Sequence, residues 1–147
     1  MKTTTRSQIE QSGQALVEFS LALIVFLVLL MGILDLGRGI YMFNGVSQAA
    51  REIARVTSVY PGAVALGTSA QTTGVVNTQK GLIPNLGSPT FACLDIDGSA
   101  GALENNGKCQ SGMQVQVTVS ATYGPVTPIL VLVGTWDMSA TSSVQLP

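Results

Sequence analysis

At 147 residues, with a net charge of −1 and no histidine, the chain has room for one domain plus a membrane segment and no bulk electrostatic pull toward nucleic acid. The missing histidines exclude Ser-His-Asp and Cys-His catalysis, the usual zinc sites and imidazole acid-base chemistry. G-x-S-x-G, S-x-x-K, P-loop and G-x-G-x-x-G motifs are absent too, so neither an enzyme nor a cofactor is expected.

Residues 1–13, "MKTTTRSQIEQSG", are polar, carry Lys2 and Arg6 and show no apolar periodicity, which reads as a leader or a disordered tail. Residues 15–34 are apolar except for Glu18, Ser20 and Gly32. Twenty residues rising 1.5 Å each make a helix of about 30 Å, the thickness of a bilayer's hydrocarbon core. One transmembrane helix over 14–34 is expected. The rival is a cleaved secretory signal, whose apolar core is shorter and ends at a small-x-small site, whereas this run continues into "GILDLGRGIY". A carboxylate inside such a span costs a few kcal/mol on insertion scales. Glu18 therefore either sits at headgroup level, with the span starting at Phe19, or has a buried role.

From Asp35 the pattern turns amphipathic. Ile40, Phe43, Val46, Ala50, Ile53, Val56 and Tyr60 recur at steps of three or four, with Asn44, Gln48, Arg51, Arg55 and Ser58 on another face. The helix is expected to leave the membrane and continue over 35–60, where "YPG" stops it. Gly45 with Ala49, and Ala50 with Ala54, are small-x-x-x-small pairs that would admit another helix. Asp35 and Arg38, at i and i+3, mark the outer membrane boundary or pair between subunits. Arg51 and Arg55 lie one turn apart on the polar face, either solvated or touching a partner subunit or lipid headgroup.

Residues 61–147 read as a small β-containing domain; the charges flanking the span, Lys2 and Arg6 before it and Arg38 and Arg51 after it, do not set its side of the membrane. The stretch 62–112 is rich in Gly, Ser, Thr, Asn and Pro and is expected to form loops and short strands, with apolar bursts at Val75–Val76 and 90–94. Cys93 and Cys109 have no further soft ligands nearby and are expected to form one disulfide in an oxidising compartment. Such a loop of about 15 residues is worth roughly 3 kcal/mol in the chain-entropy model. Asp95, Asp97, Gly98 and Glu104 fail the spacing of a calcium loop and read as a turn. "MQVQVTVSATY", 113–123, alternates as a strand with Val115, Val117, Val119, Ala121 and Tyr123 on one buried face. An apolar burst at 129–133 and a looser strand in "TWDMSATSSVQL" follow, the two strands forming a small antiparallel sheet covered by the helix. The fold class is α+β. Trp136 is either a core residue or an interfacial anchor.

Gly13, an apolar stretch, Glu18 as the fifth residue after that glycine and Phe19 next resemble the processing site of type IV pilin-like proteins, in the form used by the tight-adherence (Tad, or Flp) pilus. "RGIYMFNGVSQAAREIARVTSVYPG" is similar to the helix of the TadE-like minor pseudopilins, and "VQVTVSATYGPVTPIL" to their closing strand. Ile53, where glycine is usual, and the uncharged end "SVQLP" depart from the pattern. The resemblance implies cleavage between Gly13 and Gln14 by a prepilin peptidase at the cytoplasmic face of a bacterial inner membrane. It also implies that the new α-amine of Gln14 is neutralised by Glu18 of a neighbouring subunit. The implied partners are the peptidase, other pilin and pseudopilin subunits, the inner-membrane assembly platform and the lipid bilayer, with no nucleic acid. The implied topology is single-pass with a cytoplasmic N-terminus, and the implied work is pilus assembly, adhesion and secretion. The other reading is an uncleaved anchor presenting a binding domain.

Overall fold

The computed structural model describes residues 4–62, 65–101, 109–127, 131–132 and 134–147, with side chains from Gly13 onward in the first helix. The elements are α1 (Thr4–Val59), α2 (Ala70–Leu82), β1 (Thr90–Leu94), β2 (Gln114–Tyr123) and β3 (Trp136–Gln145). The strands form one antiparallel sheet in the order β1-β2-β3. This is the expected α+β class: β2 and β3 are the two strands read from alternation, and β1 falls on the 90–94 burst within the stretch expected to hold loops and short strands.

At 1.5 Å per residue, the 56 residues of α1 reach about 84 Å. The helix starts at Thr4, upstream of the expected Gln14, and its last turn closes with Tyr60 N–H donating to the Val56 carbonyl at 2.9 Å, just before Pro61. Its two halves have different surroundings. Among the described residues one helix is long and apolar enough to cross a membrane, Gly13–Val59, and the large apolar side chains from Leu16 to Leu34 all lie exposed on its surface. From Asp35 on, one stripe of α1 is covered by the sheet and by α2.

That stripe is rotated from the one read in the sequence. Met42, Val46, Ala49, Ala50, Ile53, Ala54 and Thr57 are buried, while Ile40, Phe43 and Tyr60 are exposed, and Ser58, assigned to the polar face, is buried. Val46, Ala50 and Ile53 lie on both stripes; the shift adds Ala49 and Ala54, whose short side chains let the helix lie close to the pleated sheet, and leaves Ile40 and Phe43 outside the contact. The small-x-x-x-small pairs are thereby used within the chain. Ala49, Ala50 and Ala54 pack in the core with Val115, Val117 and Val119 of β2, and a Cβ on Gly45 would stand 3.4 Å from Ile83 at the end of α2.

The period-2 pattern of β2 holds along its whole length, with Val115, Val117, Val119, Ala121 and Tyr123 buried. Its register runs from Gln114 opposite Gln145 to Tyr123 opposite Trp136. The Tyr123 end of the hairpin faces the apolar half of α1.

Within the stretch expected to hold only loops and strands, residues 70–82 form α2. The N-cap Ser69 accepts from Thr72 N–H at 3.0 Å and satisfies one of the free donors of the first turn. Thr72, fully buried, reaches the Tyr60 carbonyl at 3.3 Å and Thr57 Oγ1 at 3.4 Å, which ties the start of α2 to the end of α1. The connection between the helices is tight: Gly67 has φ +80°, and a Cβ there would lie 2.5 Å from the Phe91 ring, so glycine meets both a backbone and a space requirement.

Candidate functional site

The amino-terminal segment carries the residues singled out by motif. Gly13 and Gln14 lie on an unbroken helix, exposed, and among the described residues nothing beyond the helix's own backbone comes within 4 Å of where a Gly13 Cβ would stand. Four residues make about one helical turn, and Gln14 Nε2 donates to Glu18 Oε1 at 3.1 Å. The Glu18 carboxylate is thus taken up by the side-chain amide of Gln14, one turn earlier on the same face of the helix. Phe19 projects alongside, exposed. At the head of a 15–34 segment whose large apolar side chains lie exposed, the arrangement presents a glycine bond and a carboxylate on the helix surface.

A second constellation lies at the other end of that segment. Asp35, 4% exposed, is the first residue after the apolar run, and its carboxylate takes hydrogen bonds from the segment that follows β2. Thr127 N–H donates to Oδ2 at 2.6 Å and the Thr127 hydroxyl donates to the same oxygen. Val126 N–H donates at 3.0 Å. The Tyr123 hydroxyl donates to the Asp35 carbonyl at 2.8 Å and lies 3.3 Å from Oδ1. These donors, the Thr127 hydroxyl and N–H first and Val126 and Tyr123 after them, hold the carboxyl at about 2 against an ordinary 3.8, overcoming the opposite effect of burial. Burial, and next the charge of Asp35, push the Tyr123 phenol up.

Arg38, read as a possible partner of Asp35, contributes less. Its guanidinium is mostly exposed and 3.5 Å from Oδ1, a distance at which a surface pair is worth little. Asp35 is therefore an anchor of the β domain on α1 rather than only the marker of a membrane boundary. No spacing rule pointed to this, since Tyr123, Val126 and Thr127 lie 88 to 92 positions away. The available hint was "GPVT", a turn whose free N–H groups need an acceptor.

The remaining sequence candidates are separate from both ends. Arg51 is exposed, and Arg55 makes a two-point contact with Glu52, at 2.8 and 3.0 Å, that lowers the Glu52 carboxyl. Cys93 of β1 is bonded to Cys109, with Cα atoms 5.5 Å apart. Asp97 accepts from Ser99 N–H and Oγ, which holds its carboxyl below the usual range in a turn closed at Gly98. Glu104 lies outside the described residues, as do Lys2 and part of the 129–133 burst. No group of three or more Asp, Glu, Cys or His is placed to hold a metal among the described residues. Trp136 is half-exposed and stacks at a tilt on Tyr123, ring centroids 6.2 Å apart.

The TadE-like protein family model matches residues 13–55, from the glycine of the processing motif to the last arginine of "AAREIAR". It is the family that the sequence resembles. Comparison with curated proteins and with solved structures gives no match.

Proposed function

We propose, taking residues 13–55 as a TadE-like segment, that the chain is a minor pseudopilin of Tad pilus biogenesis, cut after Gly13 by a prepilin peptidase and assembled through its long helix with other pilin-like subunits. The observation that carries this reading is the exposed Gly13–Gln14 bond at the head of a bare apolar helix, with Glu18 one turn further on and within 3.1 Å of Gln14. Cutting there frees an α-amine, positive near neutral pH. In lipid or a helix bundle an unpaired charge of either sign is expensive, so a subunit whose Glu18 meets a neighbour's amine is favoured over one that does not. The work is assembly, and no catalytic step is assigned. In this reading the N-terminus is cytoplasmic in a bacterial inner membrane, and the sheet domain, with its disulfide, stands in the oxidising space outside.

The test is intact mass and N-terminal peptide mapping by mass spectrometry on membranes with and without the prepilin peptidase. The expected mature chain starts at Gln14 only where the peptidase is present. Gly13→Leu abolishes the cut, and Glu18→Ala leaves the cut in place but reduces recovery in assembled complexes. An intact start in both membranes overturns the reading in favour of a permanent anchor. A mature chain fully cyclised at Gln14 inside an assembled complex removes the amine and with it the pairing role of Glu18.

A further inference from the structure

We propose that the end of the β2–β3 hairpin is a second membrane-binding element, and that Val126, Val131, Leu132 and Trp136 enter the headgroup layer of the leaflet from which α1 emerges. Three observations converge on this. Val126 is 68% exposed, Val131 55%, Leu132 88% and Trp136 42%, a cluster of large apolar groups that a small domain ordinarily buries. They lie at the end of the sheet domain nearest the apolar half of α1, joined by short links: Val131 N–H donates to the Thr127 carbonyl at 3.0 Å, Thr127 and Val126 are bonded to Asp35, and Trp136 stacks on Tyr123, whose hydroxyl also bonds Asp35. Asp35 follows directly on the apolar run, and Trp136 shares a groove with Gly32, Leu36 and Ile40 of α1. The hairpin end therefore descends to the last turn of the apolar segment, where a bilayer around that segment has its surface.

The chemistry of the cluster selects the occupant. The sequence from 124 to 135, "GPVTPILVLVGT", carries no charge; the nearest carboxylate, Asp35, is buried and taken up by its hydrogen bonds to Val126 and Thr127, and Asp137 is turned to the opposite face of the strand from Trp136 and receives the Thr122 hydroxyl at 2.8 Å. Arg38, exposed beside Asp35, is placed for lipid phosphates. Tryptophan prefers the membrane–water boundary because its ring is apolar and its N–H needs a polar partner. The depth is limited to the headgroup layer, because irregular backbone such as Gly124 to Thr127 cannot leave its polar groups unmet in hydrocarbon. Asp35 sets that depth: it fixes which turn of α1 the hairpin end meets. The proposal rests on α1 spanning the bilayer and is independent of whether the chain is cut or joins a pilus.

Trp136 is the single tryptophan of the chain and reports the contact directly. The full chain is reconstituted in phosphatidylethanolamine and phosphatidylglycerol vesicles, floated on a density gradient, and its emission read with acyl chains brominated near the headgroup or near the terminal methyl, and with aqueous acrylamide. The expected result is loss of emission with the shallow bromines, less with the deep ones, and protection from acrylamide. Replacing Leu132 and Val126 with Asp restores acrylamide access while circular dichroism stays unchanged. Floating protein whose Trp136 is open to acrylamide and untouched by bromine overturns the proposal. Protection from acrylamide without bromine quenching overturns it in favour of a second copy covering the groove. Failure to float removes the span itself, and the proposal with it, and is distinguished by the gradient alone.

Discussion

Asp35 is a single ionisable group that joins parts of the chain 92 positions apart, and its chemistry makes the join dependent on acid. Its carboxyl is held at about 2 in the fold against an ordinary 3.8, so as pH falls the unfolded chain takes up the proton first. The stability due to this group is complete above the unfolded value and is lost as pH falls through the folded one. Thermal unfolding of the detergent-solubilised chain is expected to show a midpoint that drops between about pH 4 and pH 2. Asp35→Asn lowers the midpoint at pH 7 and flattens that drop, and Arg38→Ala does much less, because its guanidinium is mostly solvated. An Asp35→Asn profile parallel to that of the native chain shows the acid sensitivity to come from Glu52 and Asp97 instead. At this scale Gly13, Gln14 and Glu18 stand out in the sequence as candidates because a local motif spaces them. Asp35 does not, because its partners are backbone N–H groups and two hydroxyls on a distant turn, which leave no spacing to read.

Between elements, the legible parts were those whose pattern is set by their own geometry. The alternation of β2 survives because every second residue must face the same way, whatever packs on it. The buried stripe of α1 was misjudged because 3.6-residue periodicity admits neighbouring stripes, and close approach to a sheet favours Ala49, Ala50 and Ala54 over bulkier Ile40 and Phe43. Helix α2 was missed for a different reason: Thr72, Thr73, Gly74, Val75, Val76 and Gly81 are weak helix formers, and the helix depends on the Ser69 cap and on the buried Thr72. Two substitutions should therefore move stability in opposite directions. Ser69→Ala removes the cap and costs about 1 kcal/mol. Gly74→Ala, with nothing within 4 Å of the new methyl, gains up to about 1 kcal/mol by stiffening the unfolded chain and favouring helix. Urea unfolding of the two variants checks the pair; a destabilising Gly74→Ala would mean that α2 bends at that glycine.

For the whole molecule, the line between the apolar half of α1 and the sheet domain falls at Asp35, where the hydropathy changes, and Asp35 itself belongs to the domain. A fragment of residues 32–147 therefore keeps the clamp and one of residues 37–147 loses it. The longer fragment is expected to melt several degrees higher, measured by circular dichroism at pH 7, and the difference should shrink when both are compared at a pH below about 2, where the carboxyl is protonated and the Tyr123 bond to the Asp35 carbonyl remains. Equal midpoints at pH 7 would show that the alanine-lined contact alone holds the sheet. The general plan of one long helix and a small antiparallel sheet was readable from apolar length and strand alternation, whereas the bond between them was not, because it belongs to tertiary structure.

The unbroken run of α1 from Glu18 through Ile53 also fixes an azimuth. With 3.6 residues per turn, the 17 steps from Glu18 to Asp35 leave the two side chains about 100° apart around the axis. Asp35 and Ile53 lie on the side covered by the sheet domain. Glu18 consequently points to the flank of the molecule rather than beneath its head. In the proposed assembly, a neighbour meeting Glu18 would approach from that flank, leaving the helix's overhung side to the membrane and the domain's far edge open outward.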